Sequence, residues 1–132
     1  MPRAIRITAG GVSATGELND SRAAAAIAAK LPITAKAETW GDEIYFGLPF
    51  SAHSDAPQDT VALGDLGYWP PGKAFCIFFG PTPVSQGDEI RPASPVTVVG
   101  RISGDVRAFK KVRAGTGVTI EAVLTSAGGK SP

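Results

Sequence analysis

Ala74 to Phe79 form an unbroken apolar run set between two breaks, Pro70-Pro71-Gly72 before it and Gly80-Pro81 after it. A run this short, bounded by turn residues, reads as a strand buried on both faces, because alternation disappears only when neither side meets water. Cys76 lies within it and reads as a small hydrophobe, not a nucleophile. A strand of this kind demands packing on two sides, and the rest of the chain must supply it.

The remaining segments supply mostly strands. Gly (16) and Pro (11) make up about a fifth of the 132 residues, against a usual share of roughly 12%. That excess predicts many turns and a β-rich domain. Residues 3–8 and 12–18 form a hairpin pair around Gly10-Gly11. A weaker strand pattern covers 33–40, a short one 61–63, and further strands 96–102 and 118–124. Between Glu43 and Leu48 the alternation is clean: Ile44, Phe46 and Leu48 take one face, and Glu43 and Tyr45 the other. Gly41-Asp42 is the turn before it, and Gly64 to Gly72 reads as a rigid aromatic turn. Helix signals are two. Asn19, Asp20 and Ser21 offer caps before an alanine-rich segment, 22–30, which Pro32 stops and whose Ala23, Ile27 and Leu31 form one stripe. Asp105 caps a second, shorter helix through Val106, Phe109 and Val112.

Seven or eight short strands with two amphipathic helices in 132 residues favour a closed or nearly closed barrel over a sandwich, since the helices fit the two open ends. The expectation is one domain over residues 1–125, mainly β, with a flexible tail at 126–132.

Chemistry narrows the options by exclusion. The net charge is +1 with no basic cluster, which argues against a nucleic-acid footprint or a polybasic membrane patch. No apolar stretch approaches the roughly 20 residues of a membrane-spanning helix, and the opening residues alternate like a strand instead of forming a signal-peptide core. With a lone thiol, this points to a cytoplasmic protein. One Cys and one His cannot make a disulfide framework or an ordinary N/S zinc site. His53, Asp55 and Asp59 share one loop, which reads as solvated and not as a metal site. Neither metal nor cofactor is expected. The only histidine has no G-x-S-x-G partner, and no phosphate-binding glycine motif is present. Glu43 and Asp65 are the conceivable acid/base pair, though spacing alone does not bring them together.

The aromatic residues are the informative ones. Trp40, Tyr45, Phe46, Tyr68, Trp69, Phe75, Phe78 and Phe79 crowd into one stretch interleaved with Pro70, Pro71, Pro81 and Pro83. Phe75 and Phe78 are core. Tyr68 and Trp69, placed on a turn, suit either a core or the wall of a groove, since both combine contact area with a polar tip.

Three segments together carry a resemblance: Gly41-Asp42-Glu43-Ile44-Tyr45-Phe46, the long run from Gly64-Asp65-Leu66-Gly67-Tyr68-Trp69-Pro70-Pro71-Gly72 through Ala74-Phe75-Cys76-Ile77-Phe78-Phe79-Gly80-Pro81-Thr82-Pro83, and Val98-Val99-Gly100-Arg101-Ile102. They resemble a small family of prokaryotic cyclophilin-like domain proteins, most of them uncharacterised. The resemblance spans nearly the whole chain and implies an eight-stranded cyclophilin-like β-barrel with helices over its ends. It also raises prolyl isomerisation, in which an apolar proline pocket and a cationic donor bind the twisted amide best. Cyclophilins place that Arg in an aromatic-His-Arg strand motif. Here the only histidine, His53, is followed by Ser54; Arg101 is the first stand-in for that Arg and Arg91 the second.

The expected function is a binding module for a small molecule or a proline-containing peptide. Its groove would have Tyr45, Tyr68 and Trp69 as walls and Glu43, Arg101 and Thr82 as polar anchors. A divergent isomerase using Arg101 or Arg91 is the alternative. A third reading is an interaction subunit, because parts of some enzymes acting on small amides and lactams resemble this fold; such a subunit should expose a large apolar patch.

Overall fold

The computed structural model describes residues 3–123. The nine strands are β1 (Arg3–Ala9), β2 (Val12–Leu18), β3 (Ile33–Lys36), β4 (Glu38–Thr39), β5 (Glu43–Gly47), β6 (Asp65–Trp69), β7 (Ala74–Phe78), β8 (Thr97–Ile102) and β9 (Gly117–Ala122). They form one antiparallel sheet in the order β3-β9-β1-β2-β8-β6-β7-β5-β4. The first and last strands of that order, β3 and β4, are separated in the chain only by Ala37. The two edges of the sheet are therefore brought to one seam, which rolls it into a nearly closed barrel and removes most of the open edge. The strand count is nine where eight were expected, because the predicted 33–40 strand breaks at Ala37 into two pieces. Ala37 is fully buried there and exchanges backbone hydrogen bonds with Thr116 and Gly115, leaving neither β3 nor β4 to continue through it.

The barrel interior is filled by alternate residues of the long strands, among them Ile5, Ile7, Leu18, Ile44, Phe46, Leu66, Phe75, Ile77 and Ile120. Phe46 and Phe75 stack there with centroids 5.5 Å apart. The helix α1 (Arg22–Ala28) starts where Ser21 Oγ accepts the Ala24 N–H at 3.1 Å, and it buries Ala23, Ala24 and Ile27 in the same core. It ends two residues earlier than expected. The Asp105-capped segment is a 3-10 helix, Val106–Lys111, contributing Val106 and Phe109, with Val112 following it rather than belonging to it. Residues 61–63 do not form a strand; Val61 makes a single bridge to Ile90. Of the last predicted strand, residues through Ala122 are paired; the tail predicted at 126–132 lies outside the described residues.

The largest departure concerns Gly64 to Gly72. Asp65–Trp69 is a full strand, β6, lying between β7 and β8 in the sheet. The turn is confined to the 3-10 segment Pro70–Gly72, with Lys73 in the left-handed conformation at its exit (φ 50°). Gly67 sits on this strand because a Cβ would lie 3.1 Å from the Phe78 ring and 3.2 Å from Val96. Both side chains fill the space that the glycine leaves. No helix among the described residues is long and apolar enough to cross a membrane.

A candidate ligand site on the outer face of the barrel

The two-sided strand predicted from Ala74–Phe79 is what builds the site. Phe75, Ile77 and Phe79 enter the barrel interior, while Ala74, Cys76 and Phe78 face outward into a second apolar cluster with Ile90 and Val96. That cluster is roofed by the 58–61 and 90–96 segments, tied together by the Gln58–Val96 and Val61–Ile90 bridges. The roof stops short of β5, and there a pocket of about 280 Å³ opens, lined by Trp40, Glu43, Tyr45, Trp69, Pro92 and Ala93.

Strand register explains which side chains meet there. Residues directly opposite on paired strands share a face. Tyr45 pairs with Cys76, Glu43 with Phe78, and Trp69 with Ala74, so all of these point outward together. Trp40 joins them through the β4–β5 hairpin, in which Trp40 and Glu43 exchange N–H···O bonds of 2.9 and 3.2 Å across Gly41-Asp42. Gly41 has φ +60°, the left-handed position that a two-residue hairpin loop demands. A Cβ there would also strike Pro83 and the Thr82 backbone, at 2.7 and 2.9 Å.

The Trp69 indole is pinned at two points. Its Nε1–H donates to Ser94 Oγ at 2.7 Å. Its benzo edge covers Gly72, where a Cβ would lie 2.8 Å from Cζ3. Holding an aromatic wall in this way removes rotamer freedom before any ligand arrives, which is the condition for a preorganised pocket.

Glu43 is the chemically unusual residue. It is only 6% exposed, and its Oε1 has no hydrogen-bond partner. Burial pushes its carboxyl up to about 7, and the neighbouring Cys76 thiol partly offsets the rise. Cys76 is pushed well above the ordinary thiol range by its own burial first and by the Glu43 carboxylate second, so it stays protonated. Its reading as a small hydrophobe stands, with Sγ 3.9 Å from the Ala74 carbonyl.

The other expected site residues lie elsewhere. Tyr68 points into the barrel, 2% exposed, and its hydroxyl accepts the Ala52 N–H at 3.0 Å; it is core and not a wall of this pocket. Thr82 is buried and organises its own loop: its hydroxyl donates to the Arg91 carbonyl, and its N–H donates to Ser85 Oγ at 2.9 Å. Arg91 precedes the pocket residue Pro92 in the chain, but its guanidinium is held by Glu89 through two bonds of 2.7 and 3.1 Å. Arg101 is 65% exposed in its side chain, 3.6 Å from Asp65, in a separate cleft with Glu17, Leu18, Asn19, Val98 and Gly100. Asp65 accepts the Ala62 N–H at 2.8 Å and sits on β6, with β7 between it and Glu43, so the two carboxylates do not form an acid/base pair. Among the described residues no cluster of His, Cys, Asp and Glu could hold a metal ion. Sequence reasoning missed Pro92 and Ala93, and it noted Trp40 only as one of the clustered aromatics. The Trp40-Gly41-Asp42-Glu43 hairpin was the available signal, since it forces Trp40 opposite Glu43.

A nearly closed antiparallel barrel with a small aromatic pocket on its outer face defines the class of molecule. The cyclophilin-like family model matches residues 3–121, so the chain belongs to the cyclophilin-like family. The solution structure of a hypothetical protein from Archaeoglobus fulgidus is similar at a TM-score of 0.74 and 40% identity, covering 92% of this chain and 95% of that one. No curated protein matches.

Proposed function

We propose that this chain is a binding module whose outer-face pocket takes a small molecule or a proline-containing segment. The observation that carries the reading is the Trp40–Tyr45–Trp69 wall closing over a buried Glu43 carboxyl whose Oε1 has no hydrogen-bond partner. Aromatic rings offer flat apolar contact, and one polar group fixes orientation, which is the usual composition of a small-ligand site. The isomerase alternative needs a cation facing the bound amide. Arg101 opens onto another cleft and Arg91 is engaged by Glu89, so that reading has less support. An interaction subunit would call for a broad apolar surface. The large exposed apolar side chains among the described residues are Leu63 and Val84, on separate loops.

The test uses the two tryptophans of the chain, Trp40 and Trp69, as reporters in titrations with capped Xaa-Pro peptides followed by the indole N–H signals. Saturable shifts of both signals, lost in Trp69→Leu with the fold intact, support the reading; unmoved indoles across the panel strike out the proline-containing segment and leave the small molecule as the ligand to test. Accelerated cis/trans exchange in the same samples, abolished by Arg91→Ala or Arg101→Ala, would replace it with catalysis.

A further inference from the structure

The pocket has one carboxyl group, and its charge chooses the ligand. Glu43 Oε1 is buried without a donor, and the other lining residues, Trp40, Tyr45, Trp69, Pro92 and Ala93, include no cation. A carboxylate taken out of water without a partner is among the costliest groups in a protein. What it lacks is an N–H donor, best a charged one, since charge-assisted hydrogen bonds are roughly twice as strong as neutral ones. The walls ask for the same thing. Two indoles and a phenol line a confined volume, and aromatic faces attract cations, most strongly when water is excluded. Glu38 adds to this, standing directly opposite Tyr45 in the register and so placing a second carboxylate on the same face of the sheet.

We infer that the pocket formed by Trp40, Glu43, Tyr45 and Trp69 binds a compact protonated organic amine, with a charged N–H donated to Glu43 Oε1 and the alkyl groups held between the rings. The inference rests on the binding-module reading and names its ligand class. A pocket of about 280 Å³ suits a single ring or a short branched amine and not a folded polypeptide surface. Burial raises the Glu43 carboxyl, and a bound ammonium beside it would favour the ionised form that burial disfavours. Cys76, protonated beneath it, cannot compete for the cation.

The experiment compares three six-membered rings by calorimetry and by the Trp40 and Trp69 indole signals, at pH 8 with wild type and Glu43→Gln. Piperidinium carries charge and N–H, N,N-dimethylpiperidinium carries charge alone, and cyclohexanol carries neither charge nor N–H. Piperidinium should bind wild type at least about tenfold more tightly than cyclohexanol, with the quaternary ring between them. Glu43→Gln should weaken piperidinium by about tenfold or more and leave cyclohexanol unchanged. Tyr45→Leu should weaken both cations more than the alcohol. Equal binding of cation and alcohol, or a Glu43→Gln variant that keeps the cation preference, overturns the inference while the pocket still binds. Binding of Xaa-Pro peptides with indifference to piperidinium overturns it too, and leaves the broader reading standing. Indoles that respond to neither peptides nor any of the rings end both.

Discussion

Tyr68 and Trp69 are consecutive aromatic residues on one strand, and they do opposite work. Tyr68 turns into the barrel, 2% exposed, with its hydroxyl closing on the Ala52 N–H. Trp69 turns outward, half-buried, and walls the pocket beside Tyr45. The same division runs through the paired strands, where Ile44, Phe46, Phe75 and Ile77 face in and Glu43, Tyr45 and Cys76 face out. The inner face is complete in itself, every apolar group having apolar neighbours. On the outer face, packing is finished over Ala74 and Phe78 by the roof but left open over Glu43 and Tyr45. One residue of register thus separates the side chains that fill the core from those that line the pocket.

Truncating the inner aromatic should have the largest effect. Tyr68→Ala removes a fully buried ring from a close-packed core and should cost about 3–5 kcal/mol. Tyr68→Phe should cost only about 1 kcal/mol, the value of leaving the Ala52 N–H without its acceptor. Denaturant midpoints measure both. A loss under 2 kcal/mol for the alanine variant would break the comparison by showing that Tyr68 is not core.

Glu43 should show the reverse sign. Its folded carboxyl is raised to about 7 from an ordinary 4.5, so the folded state binds the proton more tightly than the unfolded chain does. Below the unfolded value both states are protonated and burial of the neutral acid costs little. As pH rises from about 4.5 through 7 the unfolded chain ionises first and native stability falls; above 7 the full penalty is present. Glu43→Gln should therefore stabilise the protein by about 1–3 kcal/mol at pH 8 and leave it nearly unchanged at pH 4. Unfolding curves at the two pH values decide this. A variant equally stable to wild type at pH 8 would mean that Glu43 already has a partner or water.

These two faces were unequally legible in the sequence. Glu43 to Leu48 alternates cleanly because one side meets the core and the other the thinly covered pocket, so its orientation could be read directly. Ala74 to Phe79 betrayed burial on both sides for lack of any alternation. Asp65–Trp69 was hidden for a related reason: it too is buried on both faces, but its Gly67 and the adjoining Gly64 and Pro70 imitate a turn. Gly67 is there for the Phe78 and Val96 side chains that cover it, a contact over distances in sequence that no local pattern records. The same holds for Arg101. Its place on a strand was readable, but the cleft it faces depends on the order β2-β8-β6, which is long-range pairing. Pro92 and Ala93 carry no chemistry of their own and enter the pocket only because the 90–96 roof segment borders it.

The pin on the indole separates packing from preorganisation. Ser94→Ala removes the hydroxyl that accepts the Trp69 N–H and should cost about 1 kcal/mol of stability. The freed indole should sample other rotamers, visible as exchange broadening of its N–H signal, and ligand affinity should fall by a similar factor. A sharp, unmoved indole signal in this variant would show that Gly72 alone seats the ring.

The smallest effect should come from the residue that the cyclophilin resemblance put first. Arg101 pairs with Asp65 at 3.6 Å, beyond a direct hydrogen bond, and its side chain is mostly in water. Exposed pairs of this kind contribute little, because solvent screens them and ordering two side chains has an entropic cost. Arg101→Ala should change stability by no more than about 0.5 kcal/mol, and it should leave every ligand response of Trp40 and Trp69 untouched, since its cleft and the aromatic pocket share no lining residue. Isothermal titrations of wild type and variant with one ligand of the pocket make the comparison. A weakened affinity in Arg101→Ala would mean that the two clefts communicate through β6, whose Asp65 touches one and whose Trp69 walls the other, and the division of labour between the faces of the sheet would have to include its length as well.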